Sequence, residues 1–257
     1  VRDVGRYSAI VSRLKLAAAL LFLVSTTPAL AAAPAYVIAA IADPSRPKDD
    51  IAADSLRDPG DTLTFAGVAP GMRVGELFPG GGYYTRLLSD IVGPKGKVYG
   101  VENAGWKDAV KADQQLLAEP GRGNLVIDIL PFGQMNLPAG LDLFWITQNY
   151  HDLKIAKYGA VDMAAFNRKV FEALKPGGVY FILDHQANPG TTTAQIAVLH
   201  RIPKSQVIAE VTAAGFNLEA EGAFLNRPGD DHTKAIFDPA IRGKTDQYAL
   251  KFVKPAG

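Results

Sequence analysis

Two groups of residues have the types and spacing to do chemistry. Glu76 is followed by Pro79-Gly80-Gly81-Gly82, and a second acid, Glu102, lies about 20 residues beyond the glycines. Further on, Asn149-Tyr150-His151-Asp152 sets an amide, a phenol, an imidazole and a carboxylate side by side. A glycine cluster lets the chain turn tightly and lets a ligand approach the backbone without Cβ atoms in the way. If a helix follows, its free N–H groups and dipole point at that ligand. An acid at the end of the next strand is where a ribose diol would be held. A dinucleotide and an adenosyl group both satisfy that description, and so does a tight turn that holds no ligand. The G-x-G-x-x-G spacing fails, because a count from Gly80 needs glycine at 85 and finds Thr85. No Gly-Lys-Ser/Thr follows either, so a pyrophosphate cradle is not supported.

His151 is the natural general base of the second group, since a neutral imidazole accepts a proton near pH 7. Asp152 is expected to orient it, with Asn149 and Tyr150 shaping or hydrogen-bonding a substrate; the competing expectation is that these residues cap the next turn. Asp184-His185 and His200-Arg201 project toward the same rim and are expected to be surface caps. Asp230-Asp231-His232 invites a metal reading, but three neighbours in a row cannot all point inward, and no i, i+4 histidine pair exists. That stretch is read as a solvated loop, and no metal site is expected. No Gly-x-Ser-x-Gly elbow is present, which leaves acyl hydrolysis without support.

The elements that must position these residues alternate. Met72–Phe78 is an apolar run with one acid inside it, a buried-strand pattern, and the glycines separate it from a helix in which Leu87, Leu88, Ile91 and Val92 share a face. Strands are expected at 97–102, 125–130, 141–147 and 179–183. Helices are expected at 106–117, around Phe166–Leu174 and at 206–214, with a short one capped by Asp61 before the first strand. Two final strands, within 216–225 and 247–253, have no helix between them, which requires one antiparallel strand. Repeated strand–helix units imply a single α/β domain, a doubly wound, Rossmann-like sheet.

Arg2, Arg6, Arg13 and Lys15 precede an apolar run, Leu16–Val24, that is too short to span a bilayer, and Ala29-Leu30-Ala31 offers a small-x-small cleavage pattern. Residues 1–31 are therefore expected to be a removable export signal, 32–50 a poorly ordered lead-in and 51–257 the folded domain, exported to the periplasm without a remaining membrane span. The sequence holds no cysteine, which removes disulfides, thiolate metal sites and cysteine nucleophiles. A net charge of +1 over 257 residues gives no electrostatic reason to expect nucleic acid.

Taken together, Glu76 with Pro79-Gly80-Gly81-Gly82-Tyr83-Tyr84-Thr85, Glu102, Asn149-Tyr150-His151-Asp152, Leu174-Lys175-Pro176-Gly177-Gly178 and the closing strand pair resemble class I S-adenosylmethionine-dependent methyltransferases. Within that family the chain looks like a bacterial branch of exported predicted methyltransferases, over roughly residues 50–255. The resemblance implies a seven-stranded sheet, mostly parallel with its last strand antiparallel, and S-adenosylmethionine as cofactor. It implies that Glu76, Phe78, Gly80, Gly81, Gly82 and Tyr84 pack on the methionyl part, that Glu102 accepts from the ribose hydroxyls and that Asp128 meets the adenine amino group. The methyl acceptor, a small molecule or an envelope component, is not implied. The family turn is acid-x-Gly-x-Gly-x-Gly, and Phe78 stands in the first glycine position. A benzyl group there is expected to crowd the methionyl pocket, so a non-catalytic ligand-binding protein on the same fold is the alternative.

Overall fold

The computed structural model describes residues 32–159 and 161–256. The expected export signal lies outside the described residues. Seven strands form one sheet: β1 (Arg73–Leu77), β2 (Lys97–Asn103), β3 (Leu125–Leu130), β4 (Leu141–Thr147), β5 (Leu174–His185), β6 (Asn217–Gly222) and β7 (Gln247–Val253), in the order β3-β2-β1-β4-β5-β7-β6. β1 to β5 pair in parallel. β7 enters between β5 and β6 and pairs antiparallel with both. The final strand is thus the only one running against the rest.

Period-two alternation divides the core between the two sheet faces. In β4, Leu143 and Trp145 face one way and Phe144 and Ile146 the other; in β5, Phe181 and Leu183 oppose Tyr180 and Ile182. The first face is covered by α1 (Ala35–Ile41), α3 (Pro59–Ala66), α4 (Tyr83–Val92) and α5 (Lys107–Leu117). The second is covered by α6 (Met163–Ala173), α7 (Thr193–Leu199) and α8 (Lys204–Ala213). The central strands are apolar on both faces because both are covered, as a parallel sheet requires. At the middle of β1 only glycine fits: a Cβ on Gly75 would stand 2.7 Å from the Phe144 ring and 2.9 Å from Leu141.

The N-terminal part departs from expectation. The stretch 32–50, read as a poorly ordered lead-in, contains α1 and the start of α2 (Lys48–Arg57). Val37 of α1 is fully buried where α1 packs on α3 and α4, a gain that Ala- and Pro-rich composition does not reveal. α2 is fastened by Asp54, which accepts from Arg46 Nη2 at 2.7 Å and from Tyr83 Oη at 2.6 Å. The cap of α3 is Asp58 and not Asp61, with Pro59 in the first turn. Among the described residues no helix is long and apolar enough to cross a membrane.

Candidate active site

The glycine turn leaves the carboxyl end of β1. Phe78 donates its N–H to Val101 O at 2.8 Å, which holds the turn against β2, and it does so with φ at 54°, in the left-handed region. That conformation costs a residue with a Cβ about 1–2 kcal/mol. Phenylalanine thus occupies a backbone conformation that favours glycine. Gly80 also has positive φ, and its N–H donates to Glu102 Oε2 at 3.0 Å. A Cβ at Gly81 would meet nothing within 4 Å, so the turn presents bare backbone to open space. Gly82 plays a different part. It opens α4 with φ at 80°, and a Cβ there would meet Leu116 at 2.9 Å and Arg86 at 3.1 Å, so it serves packing and does not face a ligand. Arg86 fastens the turn from behind, donating to Gly81 O at 2.9 Å, to Asp50 at 3.0 Å and to Glu119 at 2.7 Å.

A cavity of about 460 Å³ opens beside this turn, at the carboxyl ends of the central strands. Glu76, Phe78, Gly80, Gly81 and Tyr84 line one side, α2 contributes Asp49, Asp50 and Arg57, and Gln148, Asn149, His151, Asp152, His185 and His200 line the other. This is the crevice in which open α/β sheets bind ligands. Arg57 lies over the Tyr83 ring at 4.6 Å and has no ion-pair partner among the described residues. Glu76 is buried, and one of its carboxyl oxygens has no hydrogen-bond partner. Burial, with the nearby Asp113 and Glu102, pushes its pKa up to about 8.

The opposite wall is built on two strand ends and a helix end. Asp184, fully buried near the end of β5, accepts from the His151 main-chain N–H at 2.9 Å and from its Nδ1–H at 2.7 Å. Asp184 therefore orients His151, the part expected of Asp152. Asp152 instead turns Oδ1 toward His151 Nε2 at 3.4 Å and His200 Nδ1 at 3.2 Å, while its Oδ2 accepts from Asn149 Nδ2 at 2.9 Å. Burial disfavours a charged His151 ring, but Asp184 and then Asp152 outweigh it and raise its pKa. His185, whose Nδ1 pairs with Thr245 Oγ1 at 2.8 Å, is held neutral by burial and by His151.

The structure thus brings Glu76, Phe78, Gly80, Gly81, Tyr84, Asn149, His151 and Asp152 around one cavity. It does not bring the other expected residues there. Tyr150 is fully buried in the core; its hydroxyl donates to Glu210 at 3.0 Å and accepts from Asn167 at 2.9 Å, so it cannot touch a substrate. Asp128 is paired within β3 opposite Val101, and its carboxylate meets Asn136 at 3.5 Å outside the cavity. Glu102 is at the expected strand end but fully buried, engaged by Gly80 N–H and by Asn103 N–H at 2.6 Å. Asp113 of α5 lies beside it. Burial and that neighbouring carboxylate push the Asp113 pKa up to about 8. Phe78 packs on Trp106 at 4.7 Å and stacks on Phe132 at 5.5 Å, and Tyr158 closes the cluster.

The residues expected to be surface caps are also placed differently: Asp184, His185, His200 and Arg201 are all buried. Arg201 pairs with Asp230 at 2.8 Å, which removes Asp230 from the solvated loop it was assigned to. His232 meets Asp246 at 2.9 Å, while Asp231 is exposed. The signal that could have found the wall was the repetition of acid–histidine neighbours after β4 and β5, at strand ends that a parallel sheet places side by side.

No protein-family model and no curated protein sequence matches this chain. Solved structures do. A SAM-dependent methyltransferase from Aquifex aeolicus is 18% identical, with a TM-score of 0.55 over 80% of this chain and 99% of that one. The arsenic(III) S-adenosylmethionine methyltransferase CrArsM from Chlamydomonas reinhardtii is 16% identical, with a TM-score of 0.53 over 88% of this chain and 74% of its own. The cyclase SpnF is 16% identical, with a TM-score of 0.56 over 81% of each chain. At these identities the likeness is one of fold: the chain has the Rossmann-like fold of the class I methyltransferases.

Proposed function

We propose that this chain is an S-adenosylmethionine-dependent methyltransferase acting on a small molecule taken into the cavity. The observation that carries the reading is the pairing, across one cavity, of a bare Gly80-Gly81 turn with the polar wall of His151, Asp152 and His200. The methionyl half of the cofactor fits the residues present. Gly80 and Gly81 leave room for it, the unpaired Arg57 suits its carboxylate, and its ammonium would supply the countercharge that lets buried Glu76 ionise. Glu102 would hold the ribose hydroxyls, which requires it to give up the bond from Gly80 N–H. The bound cofactor supplies an electrophilic methyl group; the chain supplies position and a Lewis base. That base is Nε2 of His151, left with its lone pair toward the cavity wall because Nδ1–H is committed to Asp184.

The test is calorimetric titration of the full chain with S-adenosylmethionine and, separately, NADH. The expected result is micromolar binding of the former, about −7 to −8 kcal/mol, and none of the latter. Glu102→Ala should weaken it at least about tenfold, since charge-assisted bonds are each worth about 1.5–3 kcal/mol. No binding in the wild type, or unchanged affinity in the variant, overturns the corresponding assignment. The sealed position of Glu102 favours one second reading, a binding protein that kept the fold without turnover. Bound cofactor without methyl transfer across an acceptor screen would select it. An exported location belongs to the same proposal and is supported by the basic and apolar pattern of residues 2–31.

A further inference from the structure

The geometry points to a site for one divalent transition-metal ion in the cavity wall, held by His151 Nε2, Asp152 Oδ1 and His200 Nδ1. All three side chains are buried, and their ligand atoms lie within 4.8 Å of one another. Oδ1 of Asp152 stands 3.4 Å from His151 Nε2 and 3.2 Å from His200 Nδ1. Ligands 2.0–2.1 Å from a tetrahedral ion stand about 3.3 Å apart. Two edges of the coordination figure are therefore already at their working length.

The surroundings are arranged as a metal-binding histidine requires. Asp184 takes the Nδ1–H of His151 at 2.7 Å, which fixes the tautomer and leaves the Nε2 lone pair facing a carboxylate oxygen. Two electron-rich atoms at that separation repel unless a proton or a metal ion lies between them. Asp152 is held in turn by Asn149, which binds Oδ2 and leaves Oδ1 uncommitted. A carboxylate behind a ligating histidine and a hydrogen bond on a ligating carboxylate are the usual outer partners of such ions. His200 is delivered by a left-handed residue at the end of α7, with φ at 53°, a conformation a side chain adopts only under constraint from its surroundings.

Two imidazoles and one carboxylate select zinc, ferrous iron or a similar ion over magnesium or calcium, which take oxygen ligands. Three protein ligands on one wall leave the side toward the cavity open, the pattern of a catalytic and not a structural site. On the methyltransferase reading, which this role rests on, the ion would take over the part given above to the free Nε2 of His151, and the open position would take the heteroatom that is to be methylated. The ion site itself rests only on the three side chains.

The experiment is titration of the EDTA-treated full chain with Zn2+, followed calorimetrically, with Co2+ as an absorbing substitute and Mg2+ as the comparison. One Zn2+ per chain is expected, at about micromolar affinity or tighter, with visible Co2+ bands and no Mg2+ uptake. His200→Ala and Asp152→Ala should abolish saturable binding, Asp184→Asn should weaken it about 10–100-fold, and His232→Ala should leave it unchanged. Thermal unfolding of each variant identifies any that fails to fold. A folded wild type that takes up no Zn2+, or a folded His200→Ala that binds as the wild type does, overturns the site and leaves His151 Nε2 occupied by a proton. Titration of the same metal-free sample with S-adenosylmethionine reports separately on the methyl donor. Ion binding without cofactor binding would keep the site and remove only its role in methyl transfer.

Discussion

Replacing Phe78 separates the two things this residue does. Its ring is buried and packs on Trp106 and Phe132, and truncation of such a ring to alanine costs about 3–5 kcal/mol. Its backbone, with φ at 54°, pays about 1–2 kcal/mol that glycine would not pay. Phe78→Ala loses the packing and keeps the backbone cost, whereas Phe78→Gly loses the packing and sheds that cost. The glycine variant should therefore be the more stable of the two by about 1–2 kcal/mol. In a domain of this size that is roughly 2–8 °C in Tm. Urea unfolding of both proteins measures the difference directly. The same variants test the cofactor pocket. Phe78 lines the cavity, where ring contacts worth about 0.5–1.5 kcal/mol each hold its side chain in the space beside the glycine turn. Removing the ring should tighten S-adenosylmethionine binding by about 5–150-fold. An alanine variant as stable as the glycine one would refute the left-handed assignment. Unchanged cofactor affinity in both would refute the ring as the obstacle.

Other consequences follow from the same geometry. Glu76 and Asp113 rise from 4.5 and 3.8 to about 8 in the folded protein, so between those values the native state binds more protons than the unfolded chain. These two groups therefore make stability fall as pH rises from about 4 to about 8. Glu76→Gln and Asp113→Asn should each flatten that fall in urea midpoints measured at pH 5 and pH 8; an unaltered slope would dismiss the buried acids as its source. Gly75→Ala should destabilise the sheet by about 1–3 kcal/mol, because the new methyl overlaps Phe144 and Leu141; a neutral change in thermal unfolding would contradict the β1–β4 packing. Tyr150→Phe should lower stability by about 1–3 kcal/mol, since buried Asn167 and Glu210 lose a partner. It should leave ligand affinities as they are, and a selective loss of binding would return Tyr150 to the cavity.

Much of the frame was legible in the residues. The apolar runs at β1, β4 and β5 and the glycines that end β1 act over a few neighbours, where hydrophobic periodicity and backbone freedom are local properties, whereas Pro176-Gly177-Gly178, read as a break ahead of a strand at 179–183, lies inside β5 at its register shift against β4. The terminal pair β6–β7, with no helix between its strands, likewise implied an antiparallel partner. The site was legible only in part, because a strand end tells which residues reach the rim but not which partner each finds there. His151 was identifiable as a base, but its orienting acid comes from β5 and not from the neighbouring residue. Tyr150 beside it turns into the core, and Asp128 stays outside the cavity. Helices α1 and α2 had too little apolar periodicity to be foreseen, since Val37 and Ala40 gain their burial only from packing on α3 and α4.

The sequence by itself therefore determined the α/β alternation, the ligand-binding end of the sheet and the chemical types available there. Tertiary structure alone decided that Asp184 stands behind His151, that Asp152 and His200 converge on one point and that Trp106 and Phe132 pack on Phe78. The physical reason is range: local pattern sets each element through contacts a few residues apart, while a site is made by side chains from separate strands whose meeting depends on register and packing.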